Sequence, residues 1–148
     1  MEKNNILIRF MNLQDLQYLK QHLSIQFDDF WTFSILEKEF NGENTTYIVA
    51  EENNEILGFA GILTIIDESN IMNIVTKKDK RHMGVGSLLL SELIKISKKL
   101  NMKSITLEVN ENNTPAIKLY KKYNFEQIGV RKKYYDNTDS AILMTLYL

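Results

Sequence analysis

Four groups of residues in this 148-residue chain have types and spacings suited to chemistry. The first is Arg81-His82-Met83-Gly84-Val85-Gly86, directly ahead of a run in which Val85, Leu88, Leu89, Leu93, Ile96 and Leu100 recur at the spacing of one buried helical stripe. Glycines at the mouth of a helix let the backbone approach a ligand closely. The first N–H groups of a helix have no partner within it, and the helix dipole there favours negative charge. The segment therefore suits a phosphate or pyrophosphate, with Arg81 adding a fixed positive charge at its entrance. Two familiar phosphate loops are excluded. Ser87-Leu88 follow Gly86 where a Walker loop needs Lys and then Ser or Thr. Leu89 stands where a dinucleotide fingerprint needs a third small residue. A glycine-relieved turn capping a core helix would show the same spacing.

The second group is Glu108 in Ser104-Ile105-Thr106-Leu107-Glu108-Val109, where alternation puts Ile105, Leu107 and Val109 on one face and Glu108 on the other, near the strand's end. A carboxylate at a strand end that opens into a cleft is a general-base candidate, whereas a solvated glutamate on a sheet face is the plainer reading. The third is Asn113-Thr114-Pro115, a helix start in which threonine caps, proline takes the first helical position and Asn113 is free for a ligand or the loop. The fourth is Tyr120, one and a half turns further on, a position that also suits a core residue. Asn124 before Phe125 suits the left-handed residue that stops a helix.

Composition narrows the chemistry. The net charge of −1 gives no general pull toward nucleic acid. There is no cysteine, which excludes disulfides, thiolate metal sites and an acyl-cysteine intermediate. His22 and His82 are the two histidines, and neither belongs to a metal-spacing cluster, so no metal is expected. Met-Glu-Lys-Asn-Asn at the start lacks an apolar signal region and no apolar run would cross a bilayer, so the expectation is a cytosolic protein without a membrane partner.

The elements that must position these residues read in order. Ile6–Phe10 is a first strand, and Asn12 with Asp15 forms a capping box for a short helix through Leu16 and Leu19. The stretch from Ile25 to Trp31 reads as a loop. Thr32 caps a helix carrying Phe33, Leu36 and Phe40, ended by Asn41-Gly42. Strands follow at Thr45–Ala50, Glu55–Ile66 after an Asn53-Asn54 turn, and Ser69–Thr76, with a bulge expected at Gly58 or Gly61. The glycine-led helix runs to Leu100. Strand Ser104–Val109, a helix from Pro115 to Tyr123, and strands at Phe125–Lys133 and Ser140–Tyr147 complete the chain. With one proline, six scattered glycines and no linker, residues 1–148 read as a single α/β domain, a mixed sheet flanked by helices.

Taken together, Asn73-Ile74-Val75, Arg81-x-x-Gly84-x-Gly86, Leu107-Glu108-Val109, Asn113-x-x-Ala116-x-x-Leu119-Tyr120 and Phe125 resemble the GNAT superfamily of N-acetyltransferases, and within it the RimI-type enzymes that acetylate protein N-termini. The tail Arg131-x-x-Tyr134-Tyr135, with Asp139, Ala141, Ile142 and Met144, is similar to the RimI ending, and so is the entry to the second helix around Trp31-Thr32 and Phe40. The likeness covers nearly the whole chain. Ser140, where such tails often have an acid, and Asn124, in place of a common glycine, depart from the pattern.

The resemblance implies an α+β fold with a mixed, mostly antiparallel sheet of about seven strands and about four helices. It implies that Arg81, His82, Met83, Gly84, Val85 and Gly86 take the pyrophosphate of acetyl-CoA. Ile74 and Val75 would present backbone groups to the pantetheine arm at a splayed sheet edge, and an amide near Val75 would polarise the thioester carbonyl. Asn113 would contact the cofactor, Glu108 would accept the amine proton directly or through water, and Tyr120 would protonate the departing thiolate. Phe27, Trp31, Phe33 and Tyr134 would shape a peptide groove, with core packing the competing reading for Trp31 and Phe33. Only a neutral amine attacks a thioester, and an α-amine titrates near ~8 against ~10.4 for lysine, so a glutamate base has the easier task on an N-terminus. The implied acceptor is a protein N-terminus, the N-terminal alanine of a ribosomal protein. The other readings are transfer to a small amine, amino acid or lysine, and a non-catalytic acetyl-CoA-binding module.

Overall fold

The structure, a computed structural model, describes residues 5–27, 32–80, 83–135 and 138–148, with the backbone alone for 133–135. In chain order the elements are β1 (Leu7–Phe10), α1 (Leu13–Gln26), α2 (Phe33–Phe40), β2 (Thr45–Glu52), β3 (Glu55–Ile65), β4 (Glu68–Thr76), a 3-10 turn at Lys78–Lys80, α3 (Val85–Lys99), β5 (Ser104–Asn110), α4 (Thr114–Lys122), β6 (Glu126–Tyr135) and β7 (Asp139–Tyr147). The strands lie in the order β1-β2-β3-β4-β5-β7-β6. β4 and β5 run parallel, while the β1/β2, β2/β3, β5/β7 and β6/β7 pairs are antiparallel. The expected succession of seven strands and four helices is therefore met. By its internal contacts the chain divides into two compact units, Met1–Leu63 with Met72–Lys95, and Thr64–Ile71 with Ile96–Leu148.

The first unit is built on α1, α2 and the antiparallel β1-β2-β3 ladder. α1 opens on a complete capping box: the Asp15 amide donates to Asn12 Oδ1 at 2.9 Å and the Asn12 amide donates to Asp15 Oδ2 at 2.8 Å. Arg9 adds two hydrogen bonds to the same Asp15 carboxylate, at 2.7 and 2.9 Å, which together with Glu51 hold its guanidinium pKa above the ordinary value. The helix is not short. It runs 14 residues to Gln26, through the Ile25 position expected in a loop, because Leu16, Leu19 and Leu23 carry one stripe into the core. Phe27 then ends it, buried against Phe59 with ring centroids 6.0 Å apart and bridged to Lys77. Thr32 does precede α2, but its hydroxyl pairs with Ser34 Oγ at 3.0 Å and makes no cap bond.

Asn53 (φ 52°) and Asn54 (φ 66°) form the β2-β3 turn, both left-handed as a two-residue hairpin of primed type demands. The register skips between Ala50↔Gly58 and Glu51↔Ile56, which makes Leu57 the extra residue beside Gly58. Gly61 carries no bulge; it stays opposite Tyr47, whose ring fills the space a side chain there would need.

The stripe expected on α3 is rotated. Val85, Leu89, Leu90, Leu93 and Ser97 are buried, while Leu88 and Leu100 are 41% and 46% exposed. The buried line runs Val85, Leu89, Leu93, Ser97, every fourth residue. Its polar member is tolerated because Ser97 Oγ hydrogen-bonds Ser69 Oγ at 2.8 Å inside the second unit.

In the second unit, β5 pairs with β7 over its whole length and β7 pairs with β6. Ile105, Leu107 and Val109 are buried as the alternation required. Two helices end the same way. Met102 N–H donates to Ser97 O and Asn101 N–H to Lys98 O, and Phe125 N–H donates to Tyr120 O and Asn124 N–H to Lys121 O, all between 2.9 and 3.0 Å. These are Schellman pairs, with Asn101 (φ 61°) and Asn124 (φ 72°) in the left-handed position usually given to glycine.

Candidate active site

Two sets of site residues emerge, one in each unit. In the first unit the glycine loop enters α3. Gly84 has φ +81°, and a side chain there would strain the backbone although among the described residues it would meet nothing within 4 Å. Leu88 N–H donates to Gly84 O at 3.0 Å as the helix begins, and the amides of Val85 and Gly86 precede it at the positive end of the dipole. A left-handed glycine at the start of a 15-residue helix fits a pyrophosphate held by backbone amides. Met83 borders it, partly exposed. Arg81 and His82 lie outside the described residues.

Ile74 and Val75 sit in the part of β4 that belongs to this unit. The Val75 side chain is buried in the core, so only its backbone is available to a ligand. That backbone is closely packed: a Cβ on Gly58 would fall 2.7 Å from Val75 O and 3.0 Å from Val85 Cγ1. Gly58 thus lets β3 lie against both β4 and the start of α3, which fixes the two backbone segments together. The neighbouring Asn73 donates from Nδ2 to the Tyr47 hydroxyl at 3.0 Å, and its buried Oδ1 has no hydrogen-bond partner among the described residues. Burial pushes the Tyr47 phenol up to about 12, opposed by the Asn73 bond. Neither the pairing nor the orphaned oxygen was legible in the sequence, since Asn73 and Tyr47 are 26 positions apart.

The second unit holds the side chains. Glu108 projects from β5 on the face opposite Ile105, Leu107 and Val109, and each of its oxygens accepts one hydrogen bond from Arg131 of β6. Arg131 Nε donates to Oε2 at 3.2 Å and Nη2 to Oε1 at 3.1 Å. Sequence reasoning placed Arg131 in the tail pattern but gave it no partner, because the two residues meet only through the β5-β7-β6 order. Tyr120 is buried on α4, its ring 5.7 Å from Phe125, the aromatic contact that accompanies the Schellman end of this helix. Burial pushes its phenol up to about 12, so it stays protonated at any physiological pH.

Asn113, not Thr114, is the N-cap of α4: its Oδ1 accepts from Ala116 N–H at 3.3 Å, and Pro115 takes the second helical position. The backbone turn explains the shift. Asn113 N–H donates to Asn110 O at 2.9 Å, which leaves Asn113, at φ −85° and ψ 71°, as the last non-helical residue before the helix. Its Nδ2 remains a donor for a ligand. Asn110 Oδ1 accepts from Asn112 N–H at 2.8 Å, and the Ser140 amide donates to Glu111 Oε2 at 2.9 Å, tying this loop to β7.

Of the aromatic residues expected to line a groove, Phe27 is 1% exposed and belongs to the core, where Phe59 receives it. Phe33 is partly buried, packed against that same core. Trp31 and the Tyr134 side chain lie outside the described residues. His22 stacks on Tyr18 at 4.3 Å, and among the described residues no group of His, Asp and Glu could hold a metal ion. Among them, too, no helix is long and apolar enough to cross a membrane.

The first unit thus carries a left-handed glycine at a helix start, suited to an anion, and the second carries a carboxylate and a buried phenol. The sequence profile of the Acetyltransferase (GNAT) family matches residues 7–125, and the chain belongs to that family. It is an acetyl-CoA-dependent N-acetyltransferase. It is 35% identical over 122 residues to the [ribosomal protein bS18]-alanine N-acetyltransferase of Haemophilus influenzae, covering 80% of this chain and 82% of that one. The crystal structure of the ribosomal-protein-S18-alanine N-acetyltransferase from Escherichia coli superposes with a TM-score of 0.87 at 27% identity, over 96% of this chain and 93% of that one. A GNAT acetyltransferase from Elizabethkingia anophelis with acetyl-CoA bound shares the fold, with a TM-score of 0.77 at 22% identity over 99% and 100% of the two chains.

Proposed function

We propose that the chain transfers acetyl from acetyl-CoA to the α-amine of a protein N-terminus, and that the N-terminal alanine of ribosomal protein bS18 is its acceptor, in the cytosol. The observation that carries the acceptor is the 35% identity across four-fifths of both chains to an enzyme that bears this activity in its name. In this reading residues 1–148 act as one catalytic domain. Arg81 to Gly86 hold the pyrophosphate, chiefly through the amides at the start of α3. Ile74 and Val75 offer backbone groups to the pantetheine arm, and Asn113 Nδ2 donates to the cofactor.

Glu108 takes the proton from the attacking amine, directly or through a water. The amine nitrogen bonds to the thioester carbonyl carbon, the C–S bond breaks, and Tyr120 gives its phenolic proton to the leaving sulfur. The phenol has its proton at neutral pH, and the negative charge forming on sulfur supplies the drive to take it from a group that burial makes a weaker acid. Phe33 and Tyr134 border the acceptor peptide. No enzyme nucleophile is required, in keeping with a chain without cysteine.

The test is CoA release with three acceptors: an Ala-initiated peptide, the same peptide N-terminally blocked but carrying lysine, and a panel of small amines. Turnover on the free N-terminus is expected to exceed the others by at least about tenfold. Turnover confined to the blocked peptide or the small amines would overturn the acceptor assignment.

A further inference from the structure

We propose that Arg131 is a positioning residue for the transfer reaction, which holds the Glu108 carboxylate in the one orientation that can receive the amine proton; this rests on Glu108 being the base. Two parallel bonds, Nε to Oε2 at 3.2 Å and Nη2 to Oε1 at 3.1 Å, make a fork that fixes the plane of the carboxylate as well as its place. A glutamate side chain left alone on a sheet face samples many rotamers. Each carboxylate oxygen has two acceptor sites, and the guanidinium uses one on each, so the others stay available to an N–H or a water.

Stability does not account for the pair. Its side chains are 54% and 32% exposed, and an ion pair so open to water adds little to folding. The contact is also long-range in the sheet. Glu108 stands opposite Leu143 of β7 and Arg131 opposite Ala141, so the arginine reaches diagonally across a whole strand. The polar neighbours of Glu108 on the same face of β5 are held as well, Thr106 by Glu68 at 2.9 Å and Asn110 by Asp139 at 3.1 Å, but each by one hydrogen bond to a carboxylate. Glu108 alone of the three is gripped by a fork. Beside it Gly129 of β6, also opposite Leu143, would have nothing among the described residues within 4 Å of an added Cβ.

The test is a double-mutant cycle on kcat, with acetyl-CoA saturating and the acceptor that turns over fastest in the panel above. Arg131→Ala is expected to lower kcat about tenfold, with KM for acetyl-CoA and the thermal midpoint unchanged. Arg131→Lys, which keeps the charge but cannot form the fork, is expected to recover less than half of that loss. Added methylguanidine should raise the rate of Arg131→Ala and leave wild type unaffected. In a Glu108→Gln background, Arg131→Ala should cost less than about twofold. Wild-type kcat in Arg131→Ala overturns the inference, and so does a full loss that persists when Glu108 is already Gln. Should Glu108→Gln alone keep the wild-type rate, the assignment of Glu108 as base fails first and Arg131 falls with it.

Discussion

The residues proposed for function differ in kind between the two units. The first offers backbone: the amides after Gly84, and the main chain of Ile74 and Val75, whose side chains are spent on packing or left at the margin. The second offers side chains: the Glu108 carboxylate, the Tyr120 phenol and the Asn113 amide. A site made of backbone depends on φ, ψ and close packing, so it should tolerate any substitution that keeps them. A site made of side chains depends on functional groups, so it should fail on isosteric changes that leave the fold untouched. Each half can be broken separately.

The largest effect is expected at Glu108. Glu108→Gln keeps shape and removes the proton acceptor, and should lower kcat by about 100-fold or more at neutral pH. Acetyl-CoA affinity, read by calorimetry, should stay within about twofold, because the carboxylate is assigned to the amine and not to the cofactor. A matching loss of acetyl-CoA binding would mean that the division between backbone and side-chain halves is wrong.

Tyr120→Phe comes next, with kcat down about tenfold and acetyl-CoA binding retained. The raised phenol also makes a prediction about stability. Tyr120 and Tyr47 ionise near 10.0 when exposed and are pushed up to about 12 by burial. Between those values the folded state keeps protons that the unfolded state has lost, so stability is full below pH 10 and falls as pH rises toward 12. Thermal midpoints measured across that range should fall less steeply in Tyr120→Phe than in wild type, since one of the two groups is gone.

How much of this the sequence disclosed divides along the same line. Local signals were legible: the Asn12/Asp15 box, the Asn53-Asn54 turn, the stop at Asn124 and the order of all eleven helices and strands depend on residues a few positions apart. Periodicity found α3 but misplaced its buried face, because Leu88 and Leu100 are apolar yet exposed, while Ser97 is polar yet buried by a partner 28 positions away. The cap of α4 was off by one residue, since Asn113 and Thr114 both have capping chemistry and the Asn110 turn decides between them. Least legible was Glu108–Arg131, a contact that exists only once β7 lies between β5 and β6.

The backbone half is tested by two substitutions at one position. Gly84→Val places a β-branched residue at φ +81°, where the strain costs roughly 1–3 kcal/mol and would re-aim the amides of α3. KM for acetyl-CoA should rise about tenfold with kcat little changed. Gly84→Asn should stay within about threefold of wild type, because asparagine accepts the left-handed region and this chain already places it there at Asn44, Asn53, Asn54, Asn101 and Asn124. If both variants lost affinity equally, the loop would need the absence of a side chain and not merely its conformation, and a Cβ at Gly84 would have to meet the bound cofactor.

The smallest effect, and the sharpest division, is at Asn113, where one side chain serves both purposes. Its oxygen caps α4 and its nitrogen is assigned to the cofactor. Asn113→Ala loses both, and should lower stability by about 1 kcal/mol along with a few-fold rise in KM for acetyl-CoA. Asn113→Asp keeps an oxygen for the Ala116 amide and places negative charge at a helix start, where the dipole favours it. Stability should therefore be held or slightly raised. The same change removes the N–H donor and sets a carboxylate against a polyanionic ligand, so KM for acetyl-CoA should rise at least as far as in Asn113→Ala. An Asn113→Asp variant as stable as wild type with unchanged KM would leave Asn113 with its capping role alone, and the cofactor-binding side chains of the second unit would then be reduced to Tyr120.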